Sequence, residues 1–308
     1  MLARTVEIAQ DGRHVAVSRG FLTVSEKGAE VGRVALDDIG ALILNAHGLT
    51  YSNNLVVALA KRGVPVVFCG PNHQPVSLLY PVEGHHRQTA RTRAQLEATK
   101  PLQKRLWQQL VSAKVRFQGA VLARRGQPAG AFDKLAESVR SGDPDNVEAQ
   151  AARRYWKLLM GEGFRRDPDG AGANALLNYG YAVLRSAAAR AVMAAGLHPS
   201  VGIHHANQYN PLCLVDDVME PFRPFVDLAV VRLLDEGTTE VSKEAKAVLA
   251  DLLNLDMQSE AGTTPLQTCV LRLAASLGAS FEAGKATLVL PATPLPLELS
   301  GGGRPAQT

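Results

Sequence analysis

Alternating apolar and polar residues fill the N-terminal part of the chain, where Val, Ile or Thr recurs at every second position. Turn signals such as Asp11-Gly12 and Lys27-Gly28 separate these short runs. Short alternating segments with turns between them predict an antiparallel meander or sandwich. The predicted strands cover residues 5–8, 14–17, 21–25 and 30–36.

Two continuous apolar runs follow, at residues 39–44 and 64–68. A strand without polar alternation is typical of a sheet covered on both faces, so both runs are predicted to be fully buried strands. Between them, residues 52–61 carry one apolar face, Ser52 is a candidate N-cap and Gly63 is a stop signal. This pattern predicts a helix.

After Gly84 the apolar residues recur with a period of about 3.6 instead of two, which indicates helices. Pro and Gly are frequent just before this change, as at a domain boundary. We therefore predict an α+β protein of two domains, with a β-rich sandwich or meander over residues 1–84 and an all-helical domain over residues 85–300. Residues 301–308 begin with three glycines and are expected to be a disordered tail.

Caps, stop signals and apolar stripes predict seven helical segments in the second domain. Two flank Pro101 within residues 85–125, and a third follows the cap Asp143, with Pro144 at its first position. The others cover residues 174–195, 225–234, 242–254 and 265–281.

The composition is that of a folded globular protein, because 46% of the 308 residues are hydrophobic. No apolar run reaches the ~20 residues of a membrane span, and the first residues lack the pattern of a signal peptide. We therefore expect a cytoplasmic protein without a membrane segment. Cys69, Cys213 and Cys269 are far apart in sequence, which supports neither a disulfide framework nor a thiolate zinc site.

Basic residues dominate the segment from residue 85 to residue 125. It contains ten Lys or Arg and a single acid, Glu97, although the net charge of the whole chain is only +4. An ordinary solvated helix face remains an alternative, but such faces normally mix both signs, so the excess favours an anionic partner such as a DNA backbone. Arg87 and Arg91 share one helix face, and Lys104 continues the run.

A second group of titratable side chains lies between residues 202 and 227. It consists of His204, His205, Asp216, Asp217 and Glu220. Ionised groups next to the apolar run 225–234 must be hydrogen-bonded, neutralised or bound to a cation. The group is therefore compatible with a divalent-metal site and equally with capping and turn roles. The spacing excludes the helical zinc pattern with His at i and i+4.

One further carboxylate, Glu148, lies at the head of an apolar helical stripe that includes Tyr155 and Leu159. A carboxylate in that position needs a partner. Arg153 or Arg154 would provide a structural salt bridge. Alternatively, Glu148 is a third metal ligand.

Four motifs together resemble a known family. They are E-A-Q-A-A-R-R-Y-W from Glu148, A-N-A-L-L-N-Y-G-Y from Ala173, G-I-H-H from Gly202 and D-D-V-M-E-P-F-R-P from Asp216. Their order, their intervals and the β-then-helical layout are similar to those of the CRISPR-associated adaptation integrase, the near-universal endonuclease of spacer acquisition. The resemblance extends over nearly the whole chain and is greatest to the branch found in type II systems.

The resemblance implies an enzyme that inserts short DNA fragments, the new spacers, into a CRISPR array by attack of a DNA 3′-hydroxyl on a phosphodiester. In this family a Glu, a His and an Asp or Glu bind a divalent metal. The matching motifs carry these roles to Glu148, His205 and Glu220, the last standing where many members have Asp. Carboxylates suit Mg²⁺ and imidazole favours Mn²⁺, so we expect one of these two metals.

The family also implies double-stranded DNA as substrate, a homodimer formed through the β-rich domain, and a small companion CRISPR adaptation protein that bridges two dimers. The expected DNA contacts are Arg87, Arg91, Lys104, Asn174, Asn178, His204, Asp217 and Arg223. One alternative is a transposon integrase of the same fold, which usually carries an added DNA-binding domain. The other is a DNA-binding scaffold without chemistry, in which the basic helices bind DNA and the acids and histidines are structural.

Overall fold

The computed structural model describes residues 4–70, 75–79, 85–259 and 262–292. All the predicted strands and the predicted helix of the N-terminal part are confirmed, with small shifts at their ends. The elements are β1 (Arg4–Ile8), β2 (His14–Ser18), β3 (Phe21–Glu26), β4 (Ala29–Ala35), β5 (Ile39–Leu44), β6 (Thr50–Tyr51), α1 (Asn53–Lys61), β7 (Val66–Cys69) and β8 (Pro75–Leu79).

These strands form two four-stranded sheets. In the sheet of order β4-β3-β2-β6, strands β2, β3 and β4 form the predicted antiparallel meander. In the sheet of order β1-β5-β7-β8, strand β5 pairs parallel with both β1 and β7. The prediction that residues 5–8 join the antiparallel meander is wrong, because β1 pairs in parallel with β5 instead. Strands β5 and β7 are parallel because α1 crosses over between them and returns the chain in the same direction.

Strand β8 lies in a segment that the sequence pattern marked as an exit from the domain. It pairs antiparallel with β7 and begins at Pro75. Proline is compatible with the first residue of an edge strand, where no backbone N–H is required. The predicted boundary at Gly84 and the predicted tail 301–308 lie outside the described residues, so both remain predictions.

The described residues from His85 onward are mainly helical, as predicted, apart from one β-hairpin. The helices are α2 (Gln88–Leu96), α3 (Lys100–Arg124), α4 (Ala131–Ser138), α5 (Val147–Met160), α6 (Ala173–Ala194), α7 (Cys213–Met219), α8 (Arg223–Asp235), α9 (Lys243–Asp251) and α10 (Leu266–Ala283). The antiparallel hairpin of β9 (Asp256–Ser259) and β10 (Gly262–Pro265) departs from the all-helical prediction. The prediction also missed the short helices α4 and α7.

Asp143 is a cap, as predicted, but it lies further from the helix than expected. Its carboxylate accepts the backbone N–H of Val147 at 2.8 Å and of Glu148 at 3.0 Å, so α5 begins at Val147. The prediction that Pro144 occupies the first position of this helix is therefore wrong. The cap fixes the N-terminus of α5, and with it the position of Glu148.

Helix α6 is central to the helical part, where it packs against α7, α8, α9 and α10. Close approach to α8 requires a glycine, because a Cβ atom at Gly180 would lie 2.5 Å from Val226 Cγ1. Glu7 on β1 connects the two parts of the protein. Its carboxylate accepts from Tyr179 Oη of α6 at 2.8 Å and pairs with Lys246 Nζ of α9 at 3.2 Å.

No helix in the described ranges is both long enough and apolar enough to cross a bilayer.

Candidate active site

The carboxylates of Glu148 and Glu220 meet at the ammonium group of Lys114. Glu148 lies in the first turn of α5, and Glu220 lies between α7 and α8. Lys114 lies on α3, and its Nζ donates to Glu148 Oε1 and to Glu220 Oε2, each at 2.6 Å. The ion-pair partner of Glu148 is therefore Lys114 and not Arg153 or Arg154.

Glu220 is ionised although its side chain is only 5% exposed. Burial by itself would raise the pKa of Glu220, but the charges of Lys114 and Arg223 outweigh burial and hold this pKa below its usual value. Burial would likewise lower the pKa of Lys114, and the attraction of Glu220 and Glu148 raises it instead. Arg223 Nε lies 2.9 Å from Glu220 Oε1 without hydrogen-bond alignment, so its contribution is Coulombic.

Asp217, on α7, orients the loop that carries His205. Its Oδ2 accepts the backbone N–H of Ile203 at 2.6 Å and of His204 at 3.2 Å, and its Oδ1 accepts the backbone N–H of His205 at 3.2 Å. The same Oδ1 lies 2.6 Å from His205 Nδ1. Because a carboxylate only accepts, Nδ1 carries the proton and the lone pair of Nε2 points away from Asp217.

This hydrogen bond also changes the acidity of the imidazole. Asp217 raises the pKa of His205, against the opposite effect of burial, and Glu220 adds to the rise. Glu220 is therefore close enough to the imidazole to act on it electrostatically. Asp217 is 0% exposed, so it cannot contact DNA, and that expectation is wrong. Its role is to position His205.

Two further residues hold the loop in place. The indole of Trp107 stacks on the exposed imidazole of His204 at 4.2 Å between ring centroids and meets the ring of His205 edge-on at 5.8 Å. A Cβ atom at Gly202 would lie 2.2 Å from the carbonyl oxygen of His205 and 2.9 Å from Asp217 Oδ2. Only glycine therefore fits the G-I-H-H turn.

The donor set suits Mg²⁺ or Mn²⁺, although the described residues contain no group of three His, Cys, Asp or Glu side chains close enough to hold a metal. Lys114 lies where the two carboxylates meet. The site nevertheless has two converging carboxylate groups from separate elements and an imidazole whose other nitrogen is bound to a carboxylate, as in most histidine metal sites. The metal and its ligands Glu148, His205 and Glu220 stay a prediction.

Of the basic residues expected to contact DNA, one has an internal role. The guanidinium of Arg91 donates to the carbonyl of Ala195 at 2.7 Å and pairs with Glu282 at 3.3 Å, and the side chain is only 14% exposed. Arg87 also reaches Glu282, at 2.9 Å, but its side chain is 55% exposed. Lys104 is exposed. Arg87, although paired with Glu282, and Lys104 are therefore exposed enough to meet a DNA backbone, whereas Arg91 connects α2 to α10.

The asparagines on α6 order the loop before that helix. Asn174 Oδ1 accepts from Arg166 at 3.0 Å, and Asn174 Nδ2 donates to the carbonyl of Arg165 at 3.0 Å. Asn178 also accepts from Arg166 and donates to the carbonyl of Pro168 at 2.6 Å. These contacts assign both asparagines a structural role, and a direct DNA contact remains untested.

The residues that sequence reasoning missed are Lys114, Trp107 and the positioning role of Asp217. Lys114 was counted as one cation of the basic run. Its immediate neighbours Ala113 and Val115 are buried, and a lysine within such an apolar stretch was the available signal of an internal partner. No comparable signal marked Trp107 beyond its apolar character.

The fold is similar to those of two solved structures. The structure resembles a chain titled "Casposase bound to integration product", with a TM-score of 0.77, 20% identity, and coverage of 93% of this chain and 92% of that chain. It also resembles part of a chain titled "Cas6-RT-Cas1--Cas2 complex", with a TM-score of 0.73, 18% identity, and coverage of 94% of this chain and 36% of that chain. At these identities the likeness establishes the fold class, which agrees with the predicted α+β arrangement.

The family follows from sequence. The family described as "CRISPR associated protein Cas1" matches residues 6–253, a range that contains Glu148, His205 and Glu220. A relative named "CRISPR-associated endonuclease Cas1" from Neisseria meningitidis serogroup C (strain 8013) is 38% identical over 232 residues, which cover 75% of this chain and 76% of the relative. The chain belongs to the Cas1 family.

Proposed function

We propose that this chain is a metal-dependent DNA endonuclease and integrase of CRISPR adaptation, which inserts short DNA fragments into a CRISPR array. The observation that carries the proposal is the convergence of two carboxylates, Glu148 and Glu220, on the ammonium group of Lys114, at 2.6 Å each. Membership of a family whose curated relatives are named endonucleases supports the same conclusion.

Glu148, Glu220 and the Nε2 atom of His205 would hold a Mg²⁺ or Mn²⁺ ion. Such an ion supplies charge neutralisation at the phosphodiester and lowers the pKa of a bound hydroxyl. In the proposed transesterification, the 3′-hydroxyl oxygen of the incoming strand forms a bond to phosphorus as the existing P–O3′ bond breaks. The attacking hydroxyl loses its proton to solvent, and the departing 3′-oxygen gains one.

The chain's own residues set up this reaction by position. Asp217 keeps the proton of His205 on Nδ1, so that Nε2 stays available as a ligand. Arg223 contributes positive charge beside Glu220, where a DNA phosphate would approach. The exposed cations Arg87 and Lys104 would hold the DNA backbone without reading its sequence.

We also propose a homodimer and a small companion adaptation protein as partners, with double-stranded DNA as substrate and the cytoplasm as location. Edge strand β4 supports assembly through the β-rich part, because it lies at the end of its sheet and its Val31 is 53% exposed. An unpaired strand edge is able to pair with a second chain. A strictly monomeric mass at micromolar concentration would argue against the dimer.

One observation favours a second candidate function, the non-catalytic DNA-binding scaffold. Lys114 neutralises the glutamates as a purely structural ion cluster would. Joining of a short DNA duplex to a supercoiled plasmid separates the two proposals. The enzyme should join them in Mn²⁺ or Mg²⁺ and not in EDTA, and Glu148→Ala, His205→Ala and Glu220→Ala should each abolish joining while still binding DNA.

The double substitution Glu148→Ala/Glu220→Ala sharpens this test. If both residues hold one ion, the double variant should be no worse than either single variant, because the site is already lost. His204→Ala should retain some joining. Full joining by Glu148→Ala would leave the scaffold as the better account.

A further inference from the structure

Lys114 is placed where a metal ion held by Glu148 and Glu220 would have to lie. Its ammonium is 2.6 Å from an oxygen of each, and its side chain is 12% exposed. A divalent ion therefore cannot use both carboxylates unless Lys114 leaves. An ammonium ion beside a divalent cation would also be repelled.

The structure contains a second place for this ammonium group. A cavity of about 100 Å³ adjoins the site and is lined by Lys114, Gln118 and Asp227, among others. This volume far exceeds the ~10–15 Å³ that a water molecule requires, so an ammonium group fits. Gln118 follows Lys114 by one helical turn on α3, so both side chains lie on the same face.

Gln118 provides the acceptor that such a place needs. Its side-chain oxygen Oε1 is buried and has no hydrogen-bond partner among the described residues. An orphaned buried acceptor is unusual and calls for a partner. The buried carboxyl group of Asp227, which accepts from the hydroxyl of Tyr181, lines the same cavity.

The other charges on the cavity are already engaged. Arg166 is held by Asn174 and Asn178, and Arg223 by Glu220 and the face of Tyr181, at 5.0 Å from the ring centroid. Both cations oppose the entry of a third, which favours the position between the glutamates as long as no metal is present. The ammonium group of Lys114 is therefore more stable between the glutamates when no metal is bound, and metal binding would shift it to the cavity.

We propose that Lys114 is a positioning residue with two places: between Glu148 and Glu220 in the metal-free protein, and against Gln118 Oε1 in the cavity when a divalent metal is bound. This inference rests on the proposed metal site. In the metal-free protein, Lys114 then keeps the carboxylates of Glu148 and Glu220 close together. It also competes for this position with cations that bind weakly.

Two variants test the proposal, because they should change Mn²⁺ affinity in opposite directions. Lys114→Met removes the competitor, so Mn²⁺ should bind more tightly; if Lys114 occupies the first place about 90% of the time, the apparent Kd should fall about tenfold. Gln118→Leu removes the second place, so Mn²⁺ should bind more weakly. The exposed Arg116→Met on the same helix is the matched control and should bind as the wild type does.

The readouts are Mn²⁺ affinity by calorimetry and Tm in EDTA and in Mn²⁺, all at one pH. In EDTA, Lys114→Met should lower Tm because the half-buried Glu148 and the buried Glu220 lose their shared counter-ion. Gln118→Leu should keep or raise Tm because an unsatisfied acceptor is removed. Mn²⁺ should raise the Tm of Lys114→Met more than that of the wild type. If Lys114→Met does not fold, Gln118→Leu decides alone.

The outcomes separate this inference from the proposed function. Equal or weaker Mn²⁺ binding by Lys114→Met, or unchanged binding by Gln118→Leu, overturns the two-place lysine and leaves the metal site standing. Absence of Mn²⁺ binding by the wild type and by both variants overturns both proposals.

Discussion

Asp217→Asn replaces one oxygen of a buried carboxylate by an amide nitrogen and leaves the shape of the side chain unchanged. In the wild type, Oδ2 accepts two backbone N–H groups, from Ile203 and His204, whereas Oδ1 accepts one backbone N–H and the Nδ1 proton of His205. The amide oxygen should keep the first pair. The amide nitrogen then faces His205.

Two consequences of different size follow from this orientation. The backbone N–H of His205 loses its acceptor, which should lower the free energy of unfolding by about 1–3 kcal/mol. The amide also donates to Nδ1, which moves the imidazole proton to Nε2 and removes the lone pair that would bind the metal. Loss of such a supporting contact typically costs about 10–100-fold in metal affinity.

The assay combines Mn²⁺ calorimetry, urea unfolding and a long-range ¹H–¹⁵N spectrum of the histidine tautomers. Asp216→Asn is the matched control, because the neighbouring carboxylate pairs with Arg185 at 2.7 Å and does not contact the imidazole of His205. It should lose stability but keep Mn²⁺ affinity. Wild-type Mn²⁺ affinity in Asp217→Asn, with the His205 proton still on Nδ1, would refute the reasoning.

Three other predictions concern the surroundings of the site. Burial raises the pKa of Asp227 to about 7, so the folded state binds this proton up to a higher pH than the unfolded state does. The contribution of Asp227 to the free energy of unfolding should therefore fall between about pH 4 and pH 7 and then stay constant. The free energy of unfolding of Asp227→Asn should lack this decline, and wild-type and variant pH profiles that run parallel would contradict the prediction. Gly202→Ala should weaken Mn²⁺ binding with little loss of helical circular dichroism, because its Cβ would displace the His205 carbonyl; unchanged binding would show that the turn adapts. Lys104→Glu should flatten the dependence of DNA affinity on salt concentration. Arg91→Ala should chiefly lower Tm, because the contacts with Ala195 and Glu282 are lost. If both variants change the salt dependence equally, Arg91 contacts DNA after all.

The strands and most long helices could be predicted because their signals are local. Alternation marked β2 to β4, and the apolar run from Phe225 marked α8. Sheet topology is not local, because it depends on where the chain goes between strands. The continuous apolar run of β5, which is buried along its whole length, was the sign of a parallel sheet, but the regular turn spacing before it favoured a meander.

The candidate site was only partly predictable for the same reason. The motifs singled out Glu148, His205 and Glu220, and the structure joins the two glutamates through Lys114. Which cation lies between the glutamates depends on how α3 packs against α5, over a separation of 34 residues between Lys114 and Glu148. Lys114 and Arg91 therefore looked like members of one basic surface until the fold assigned each an internal partner.

The most direct measurement is a crystal structure of the protein in Mn²⁺, with anomalous scattering recorded to locate the ion. The account predicts one peak bound by the carboxylates of Glu148 and Glu220 and by Nε2 of His205, with Lys114 moved toward Gln118. No peak at this site, with Lys114 still bridging the two glutamates, would contradict it.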